Sequence, residues 1–370
     1  THISLKPSIF FKLFNILVIE KNDVKTVKQS LLLEHDWAWK TLVYGTSWDF
    51  EIIKKIKDSF DTISEKISKI PSIYYGTGIQ DGDGKDDTSE LPVKRVFNSE
   101  GNIDHFYINL SANNFTEIKK KKIHRTRIPE LFIPPYCLVS KGIDPHNYKM
   151  RAAYSEEQFI YKETIFGIKG DMNNKEFLLT LVGLINSSFY AYLNLILGSS
   201  AGIDRRQRFA NELLDYPFPN RDLEKIASLT AQIQDLAQSE ELFNNQENLG
   251  NKISELDNLI LKVFELQHNP FVDYALNIMI PQIVHARQPE QLQYQSVTKN
   301  DLIEYSNVFL KYFENIYTKA EKHIQMKIYP KLGNSFAAFE LIVGDEPVTP
   351  QICFCDDAIG IKELLQTFYL

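Results

Sequence analysis

Cysteine is scarce in this chain, which has three cysteines among 370 residues, Cys137, Cys353 and Cys355. Three thiols cannot build the disulfide framework of a small secreted protein. The Cys353–Cys355 pair has no further soft metal ligand beside it in the sequence, so a zinc site is not indicated there. We therefore expect three packing thiols in a protein of the reducing cytoplasm.

Long hydrophobic runs are also missing. The most apolar run, Phe10–Ile19, is interrupted by Lys12 and falls short of the roughly 20 residues that span a bilayer. No small-residue cleavage site follows it, so it is predicted to be a buried segment and not a signal peptide. The sequence thus predicts no membrane partner. Because the chain starts at Thr1 within a half-apolar stretch, we expect a piece of a longer protein.

An overall positive charge is absent: the net charge is −7, which argues weakly against a nucleic-acid partner. The charge is unevenly distributed, however. Residues 112–151 carry nine Lys or Arg against three acidic residues, whereas residues 221–290 carry five basic against eleven acidic residues. Binding to an anionic polymer depends on such local patches and not on the sum.

The apolar periodicity divides the chain into four parts and predicts an α+β fold. Residues 1–71 show the three-to-four spacing of a helical connector, and residues 72–220 alternate short β-rich runs with one long apolar helix. Residues 221–290 return to an amphipathic helical pattern. Residues 291–370 combine a helix with alternating strands in a small α+β unit.

Two catalytic signatures are excluded by their residues. A cofactor-binding turn needs Gly-x-Gly between a strand and a helix, but Gly76–Gly78 and Gly82–Gly84 lie in a loop. The stretch Ile133–Tyr136, IPPY, resembles the Asn/Asp/Ser-Pro-Pro-Tyr/Phe loop with which enzymes methylate the amino group of adenine. The Ile133 side chain has no acceptor for that amino group. IPPY is therefore interpreted as structural, in a proline-interrupted edge strand.

A metal centre is not indicated either. The run Asp81–Asp87, DGDGKDD, has the density of a calcium loop, but its sixth and twelfth places hold Asp86 and Pro92 instead of Gly and Glu. A nuclease centre made of scattered Asp, Glu and Lys stays open, because such centres have no clear pattern in one sequence.

The run Arg127–Pro219 carries four motifs in a fixed order, namely FIPPYCLVSKG, RAAYSEEQFIYKETIFGI, LVGLINSSFYAYL and ELLDYPFP. In this order they resemble the target recognition domain of N6-adenine DNA methyltransferases, the TaqI-like and type IIG restriction–modification enzymes. Weaker likeness extends to the upstream and downstream helices, and residues 290–370 show none.

This resemblance implies a division of labour. The recognition domain reads bases in the major groove of duplex DNA, while a separate domain flips the adenine and methylates it. The methyltransferase domain, with its S-adenosylmethionine, is expected upstream in the same polypeptide. The present chain is then non-catalytic and needs no cofactor or metal of its own.

The resemblance and the charge pattern together nominate DNA-contacting residues. The phosphate candidates in the basic run are Lys119, Lys120, Lys121, Lys122, Arg125 and Arg127, with Lys141 and Arg151 ranked below them. The base-reading candidates are Arg205, Arg206, Gln207 and Arg208, and in the loop Gly78–Thr88 the candidates are Gln80 and Lys85. The glycines of that loop would allow its backbone to approach DNA closely.

Simpler interpretations stay open beside these. The basic run can be an ordinary solvated surface, and the 205–208 arginines can pair with Asp204, Glu212 and Asp215. Three tryptophans, at 37, 39 and 48, are interpreted as core residues in preference to a platform for stacked bases. The rival functions are a metal-dependent nuclease and a protein-interaction scaffold that uses the acidic helices.

Overall fold

The structure is a computed structural model that describes residues 2–3, 24–144, 146–199, 210–239, 242–287, 298–317, 321–332 and 336–355. The chain divides into two compact units, Thr1–Pro289 and Glu290–Leu370. Helices and small sheets are mixed throughout both, which confirms the predicted α+β class. The finer division of the first unit into connector, recognition domain and helical segment stays a prediction.

The described part of the first unit begins with a short strand pair, β1 His2–Ile3 and β2 Val24–Lys25, and four helices. These helices are α1 Gln29–Glu34, α2 Ala38–Tyr44, α3 Ser47–Ser59 and α4 Ile63–Ser68. Capping boxes fix two of the helix starts, with Thr46 and Asp49 at α3 and Thr62 and Glu65 at α4. Isoleucines at helical spacing, Ile53 and Ile56 in α3 and Ile63 and Ile67 in α4, form the buried face of these two helices, as the periodicity predicts.

A four-stranded antiparallel sheet forms the centre of the first unit. Its strands are β3 Tyr74–Thr77, β10 Tyr136–Ile143, β11 Met150–Ser155 and β13 Ile165–Lys169, in the order β11-β10-β13-β3. Smaller strands surround it: β4 Asp86–Asp87, β5 Arg95–Phe97, β6 Ile103–Asp104, β7 Tyr107–Ile108, β8 Phe115–Glu117, β9 Lys122–Ile123 and β12 Ile160–Tyr161.

The prediction that IPPY belongs to an edge strand is wrong. Both prolines precede β10, which starts at Tyr136 and lies between β11 and β13. Since no proline falls inside β10, its N–H groups can pair on both sides. Tyr136 is fully buried and its hydroxyl donates to the Phe132 carbonyl at 3.1 Å, so the stretch is structural, as interpreted.

The predicted single apolar helix is two helices, α5 Lys175–Ile185 and α6 Ser188–Leu197, bent by 63° at Asn186–Ser187. The Ser187 side chain accepts from the Tyr190 N–H and starts α6, while the Asn186 side chain bonds to the sheet. Within the described residues no single helix is long and apolar enough to span a membrane. Only this bent pair, counted from Met172, reaches that length and composition, and its side chains are mostly buried in the core.

Five helices complete the first unit: α7 Ala210–Leu214, α8 Leu223–Gln238, α9 Leu242–Val263, α10 Pro270–Tyr274 and α11 Ile280–Arg287. The apolar stripes of α8 and α9, including Ile226, Ile233 and Ile260, join the same core as α5 and α6. Most acidic side chains of α8 and α9, such as Glu224, Asp235 and Glu255, are exposed, whereas Asp257 is half-buried and accepts from Ser188. The stripes and their burial agree with the predicted amphipathic pattern.

The second unit packs one helix on a three-stranded sheet. The helix is α12 Lys299–Tyr317, and the strands are β14 His323–Leu332, β15 Phe336–Gly344 and β16 Ile352–Phe354 in the order β15-β14-β16. Leu302 and Leu310 of the helix contact a core that includes Ile328. The short terminal helix that the sequence predicted lies outside the described residues.

Candidate nucleic-acid interface

The loop predicted to approach DNA is paired, backbone to backbone, with the basic run. Strands β4 and β9 join Asp86 to Ile123, and Gln80 exchanges both backbone hydrogen bonds with Arg125. Thr88 closes the far end, because its backbone N–H donates to the Lys121 carbonyl at 2.9 Å. We call residues 78–88 and 119–127 together the paired loop. Two segments that the sequence nominated separately thus form one surface feature.

The glycines of the paired loop permit a close approach between two protein segments. A Cβ at Gly84 would lie 2.2 Å from the Ile123 carbonyl oxygen, and a Cβ at Gly78 would lie 2.0 Å from the Tyr161 carbonyl oxygen. Both contacts are with backbone that cannot move aside. Gly78 and Gly84 therefore allow close contact within the protein, and the approach of this loop to DNA stays a prediction.

The four consecutive lysines 119–122 are all exposed, as is Lys85. They do not form a purely positive surface, because four aspartates lie in the other half of the paired loop, at 81, 83, 86 and 87. The Lys120 ammonium lies 3.3 Å from the Asp83 carboxylate. The pKa of Asp87 is lowered, first by the backbone N–H of Ser89, so this carboxyl stays ionised at neutral pH.

The two arginines of the basic run have different surroundings. Arg125 has an exposed side chain, and its backbone pairs with Gln80. Arg127 is half-buried, donating from Nε to the Gly78 carbonyl at 3.1 Å and from Nη2 to the Thr77 hydroxyl at 2.9 Å. Its φ of 68° is unusual for a residue with a side chain. The Arg127 guanidinium thus fastens the loop to β3, while Arg125 faces solvent.

Lys141 lies on β10, close to Arg127 of the paired loop. Burial lowers the pKa of its ammonium, the Glu163 carboxylate opposes that effect, and Arg127 adds to it. Within the described part of the chain, Gln80 Oε1 and Glu163 Oε2 are buried oxygens without a hydrogen-bond partner. Buried polar atoms of this kind are rare in folded proteins. Two of the nominated residues, Arg127 and Lys141, therefore lie close together beside Glu163. Gln80 pairs with the backbone of Arg125 in the same loop.

Of the remaining nominated residues, the structure describes only Arg151. Arg151, on β11, is half-buried and acts electrostatically on Asp144 instead of joining the paired loop. Residues 200–209, with the nominated Arg205, Arg206, Gln207 and Arg208, lie outside the described residues. No position can be assigned to them.

A second polar cluster has no counterpart in the predictions from sequence. His105 Nε2 lies 3.1 Å from Asp144 Oδ2, and His105 Nδ1 lies 3.2 Å from Asn186 Oδ1. Asp104 brings a third potential ligand atom, within 4.8 Å of the other two. The contact with His105 is the first cause that lowers the pKa of Asp144 from its ordinary value to about 2. These residues are too far apart in the chain to form a sequence motif.

The tryptophan prediction is only partly confirmed. Trp37 is half-buried and stacks on Phe50 at 5.1 Å. Trp39 and Trp48 are exposed by 54% and 59%, which contradicts their interpretation as core residues. Trp48 lies in the first turn of α3, away from the buried isoleucine face, and covers Phe271 of α10 at 5.1 Å.

Comparison with known proteins shows a distant likeness to solved structures. No family model matches the chain, and no curated protein matches its sequence. Among solved structures it is similar to the type IIL restriction-modification enzyme MmeI, determined in complex with DNA, at 13% identity and a TM-score of 0.37. The match covers 59% of this chain and 36% of that one, so it spans little more than a third of MmeI. A likeness of this size carries no argument about function.

Proposed function

We propose that this chain recognises duplex DNA in a sequence-specific manner, as the specificity region of an N6-adenine DNA methyltransferase or restriction–modification enzyme. The observation that carries the proposal is the paired loop, which presents Lys119, Lys121, Lys122 and Arg125 to solvent and has Lys141 close to its Arg127. Exposed cations would contact phosphates and fix the register. The exposed side chains of the loop would then face base edges.

The acidic residues in the paired loop shape this binding. Lys120 already pairs with Asp83, so a phosphate must compete with that carboxylate for it, whereas its exposed neighbours Lys119 and Lys121 would meet phosphate directly. Mixed charge of this kind weakens unspecific attraction to the phosphate backbone. The proposal therefore expects modest affinity for arbitrary DNA and a clear gain for a cognate sequence.

The rest of the parent enzyme belongs to the same proposal. The methyltransferase domain and its S-adenosylmethionine would lie upstream in the polypeptide, and this chain would supply only recognition. Calorimetry of the isolated chain should accordingly detect no S-adenosylmethionine binding, and micromolar binding would contradict this part of the proposal.

The test of DNA recognition is selection of bound duplexes from a randomised pool, followed by affinity measurements at several salt concentrations. We expect one short motif to be enriched and affinity to fall as salt rises. Changing Lys119, Lys121 and Lys122 to Gln should reduce the salt slope by up to about 3, at about 0.9 per lost phosphate contact. The matched control changes Lys28, Lys54 and Lys57 to Gln and should leave the slope unchanged.

The rival functions have their own results. Salt-sensitive binding without an enriched motif would leave a phosphate-holding surface and refute base reading. Cleavage of plasmid with added Mg²⁺ would identify a nuclease. No binding at low salt, together with stable association with another protein, would favour the interaction scaffold.

A further inference from the structure

The hairpin β6–β7 holds His105 in a fixed position. Asp104 and Tyr107 pair across a two-residue turn that contains His105 and Phe106, and Phe106 has a φ of 57°. The backbone N–H of Phe106 donates to the Ala152 carbonyl at 3.1 Å, which anchors the turn to β11. One Asp104 oxygen accepts from the His105 N–H at 2.8 Å, so its second oxygen stays available.

Asn186 determines which ring nitrogen of His105 carries a hydrogen. The Asn186 amide nitrogen donates to the carbonyls of Ala152 and Val182, and its oxygen accepts from the Ala152 N–H. These three backbone partners fix the orientation of the amide, so its oxygen must be the atom facing His105 Nδ1. Nδ1 therefore donates the hydrogen. In a neutral ring, Nε2 then has only a lone pair.

That lone pair points at a carboxylate. Asp144 Oδ1 accepts from the His146 N–H at 2.7 Å, and Asp144 Oδ2 lies 3.1 Å from His105 Nε2. A lone pair and an anionic oxygen at this separation repel each other unless a positive species lies between them. Either a second ring proton or a metal ion satisfies the geometry.

We propose that Asp104, His105 and Asp144 bind a divalent transition-metal ion of the zinc type. Their ligand atoms all lie within 4.8 Å of one another, and the 3.1 Å between Nε2 and Oδ2 is close to the separation of two ligands about 2.0–2.1 Å from one metal. An imidazole nitrogen favours zinc-type ions over Mg²⁺ and Ca²⁺.

The surrounding residues fit this assignment. A metal-ligating histidine usually donates its other N–H to a carbonyl or carboxylate, and Asn186 accepts here. Two carboxylates and a neutral ring would leave the site with little net charge, but the nearby Arg151 weakens the attraction for a cation. Three protein ligands also leave a position for water. Bound metal would fasten the β6–β7 hairpin to the end of β10.

The test uses the full 370-residue chain with Cys353 and Cys355 changed to Ser, which removes the two thiolates of the second unit as competing ligands. Co²⁺ is titrated at neutral pH, its visible absorption reports coordination, and Zn²⁺ is added in competition. Three variants are compared in that background: Asp104→Asn, His105→Gln and, as a control, His268→Gln, since His268 is an exposed histidine outside the cluster. Circular dichroism verifies folding. Because Asp104 is exposed, Asp104→Asn should disturb the fold less than His105→Gln.

We expect one ion per chain, displaced by Zn²⁺. Asp104→Asn and His105→Gln should each weaken binding at least about tenfold, a loss comparable to that caused by removing an outer hydrogen-bond partner of a metal ligand. His268→Gln should bind like the parent. Equal binding in all variants, or no binding by the folded parent, would overturn the proposal and leave a protonated His105 as the species that bridges to Asp144. DNA affinity plays no part in this readout.

Discussion

Gln234 gives Tyr154 the two hydrogen bonds that a neighbouring β-strand would otherwise supply. The Tyr154 N–H donates to Gln234 Oε1 at 2.8 Å, and Gln234 Nε2 donates to the Tyr154 carbonyl at 2.7 Å. Asn186 bonds in the same way to both backbone groups of Ala152, two residues earlier on β11. Two side-chain amides from helices thus satisfy the outer edge of the central sheet. An unpaired edge would otherwise invite pairing with another chain.

Changing Gln234 to Leu should therefore destabilise the first unit strongly. The variant leaves a buried N–H and a buried C=O without partners, at a cost of about 2–5 kcal/mol in unfolding free energy. Hydrogen exchange at the Tyr154 amide should also accelerate, because its bond to Gln234 is lost. Urea denaturation and exchange measured by mass spectrometry test this. Gln232→Leu, at an exposed position on the same helix, should change the unfolding free energy by less than about 0.5 kcal/mol. Equal effects from both variants would contradict the role of Gln234.

Gly84 should tolerate no side chain. Gly84→Ala forces a Cβ against the Ile123 backbone and must separate β4 from β9, at a cost of about 1–3 kcal/mol. Gly250, in α9, provides the opposite case, since a Cβ there meets nothing within 4 Å. Gly250→Ala should raise the unfolding free energy by about 0.5–1 kcal/mol. Thermal denaturation compares the two variants. A neutral Gly84→Ala variant would mean that the paired loop does not hold this geometry.

Local patterns in the sequence predicted the elements that local forces determine. The buried isoleucines of α3 follow a helical period, and the caps at Thr46 and Thr62 are visible as short motifs. The exposed lysine run also needed no tertiary information, because four adjacent charges cannot be buried together. These are the parts of the fold and of the candidate site that can be predicted from one sequence.

Long-range partners account for the rest. The break between α5 and α6 depends on Asn186 reaching Ala152, 34 residues away in the chain. The anchoring of Arg127 by Gly78, and the pairing of His105 with Asp144, likewise join distant segments. Asn, Arg, His and Asp are common on protein surfaces, so their presence in a sequence does not reveal such long-range partners. From the sequence, DNA-contacting residues can therefore be nominated only by charge and resemblance, and Arg125 and Arg127 are both predicted to contact phosphate.

The structure predicts that the two arginines behave differently when changed. Arg127→Gln removes the guanidinium bonds to Gly78 and Thr77, so it should lower the unfolding free energy by about 1–3 kcal/mol and weaken DNA binding. Arg125→Gln should weaken DNA binding and reduce the salt slope by about 1, with little change in stability. Measuring both quantities for both variants tests this. Loss of stability in Arg125→Gln, or unchanged stability in Arg127→Gln, would reverse the assignment.

Lys141 should show a conflict between stability and binding. Burial holds the pKa of its ammonium below the ordinary 10.5, so folding disfavours the charged form. That cost is fully present below the folded pKa and vanishes as the pH rises through it towards 10.5, where the unfolded chain also loses the proton. Lys141→Met removes the charge from both states. The variant should therefore melt at a higher temperature than the parent at pH 7, and the difference should shrink near pH 10.

The same substitution should weaken DNA binding at neutral pH and reduce the salt slope by about 1, the share of a single phosphate contact. A lysine that lowers the stability of the fold and strengthens DNA binding has a functional role. A lysine with only a structural role would not contribute to DNA binding. Melting curves at the two pH values and a salt titration with the selected duplex test the two halves separately. Lower stability of Lys141→Met at pH 7 would mean that the Glu163 carboxylate outweighs burial. Unchanged DNA affinity would mean that Lys141 does not belong to the interface, which would then consist of the exposed side chains of the paired loop.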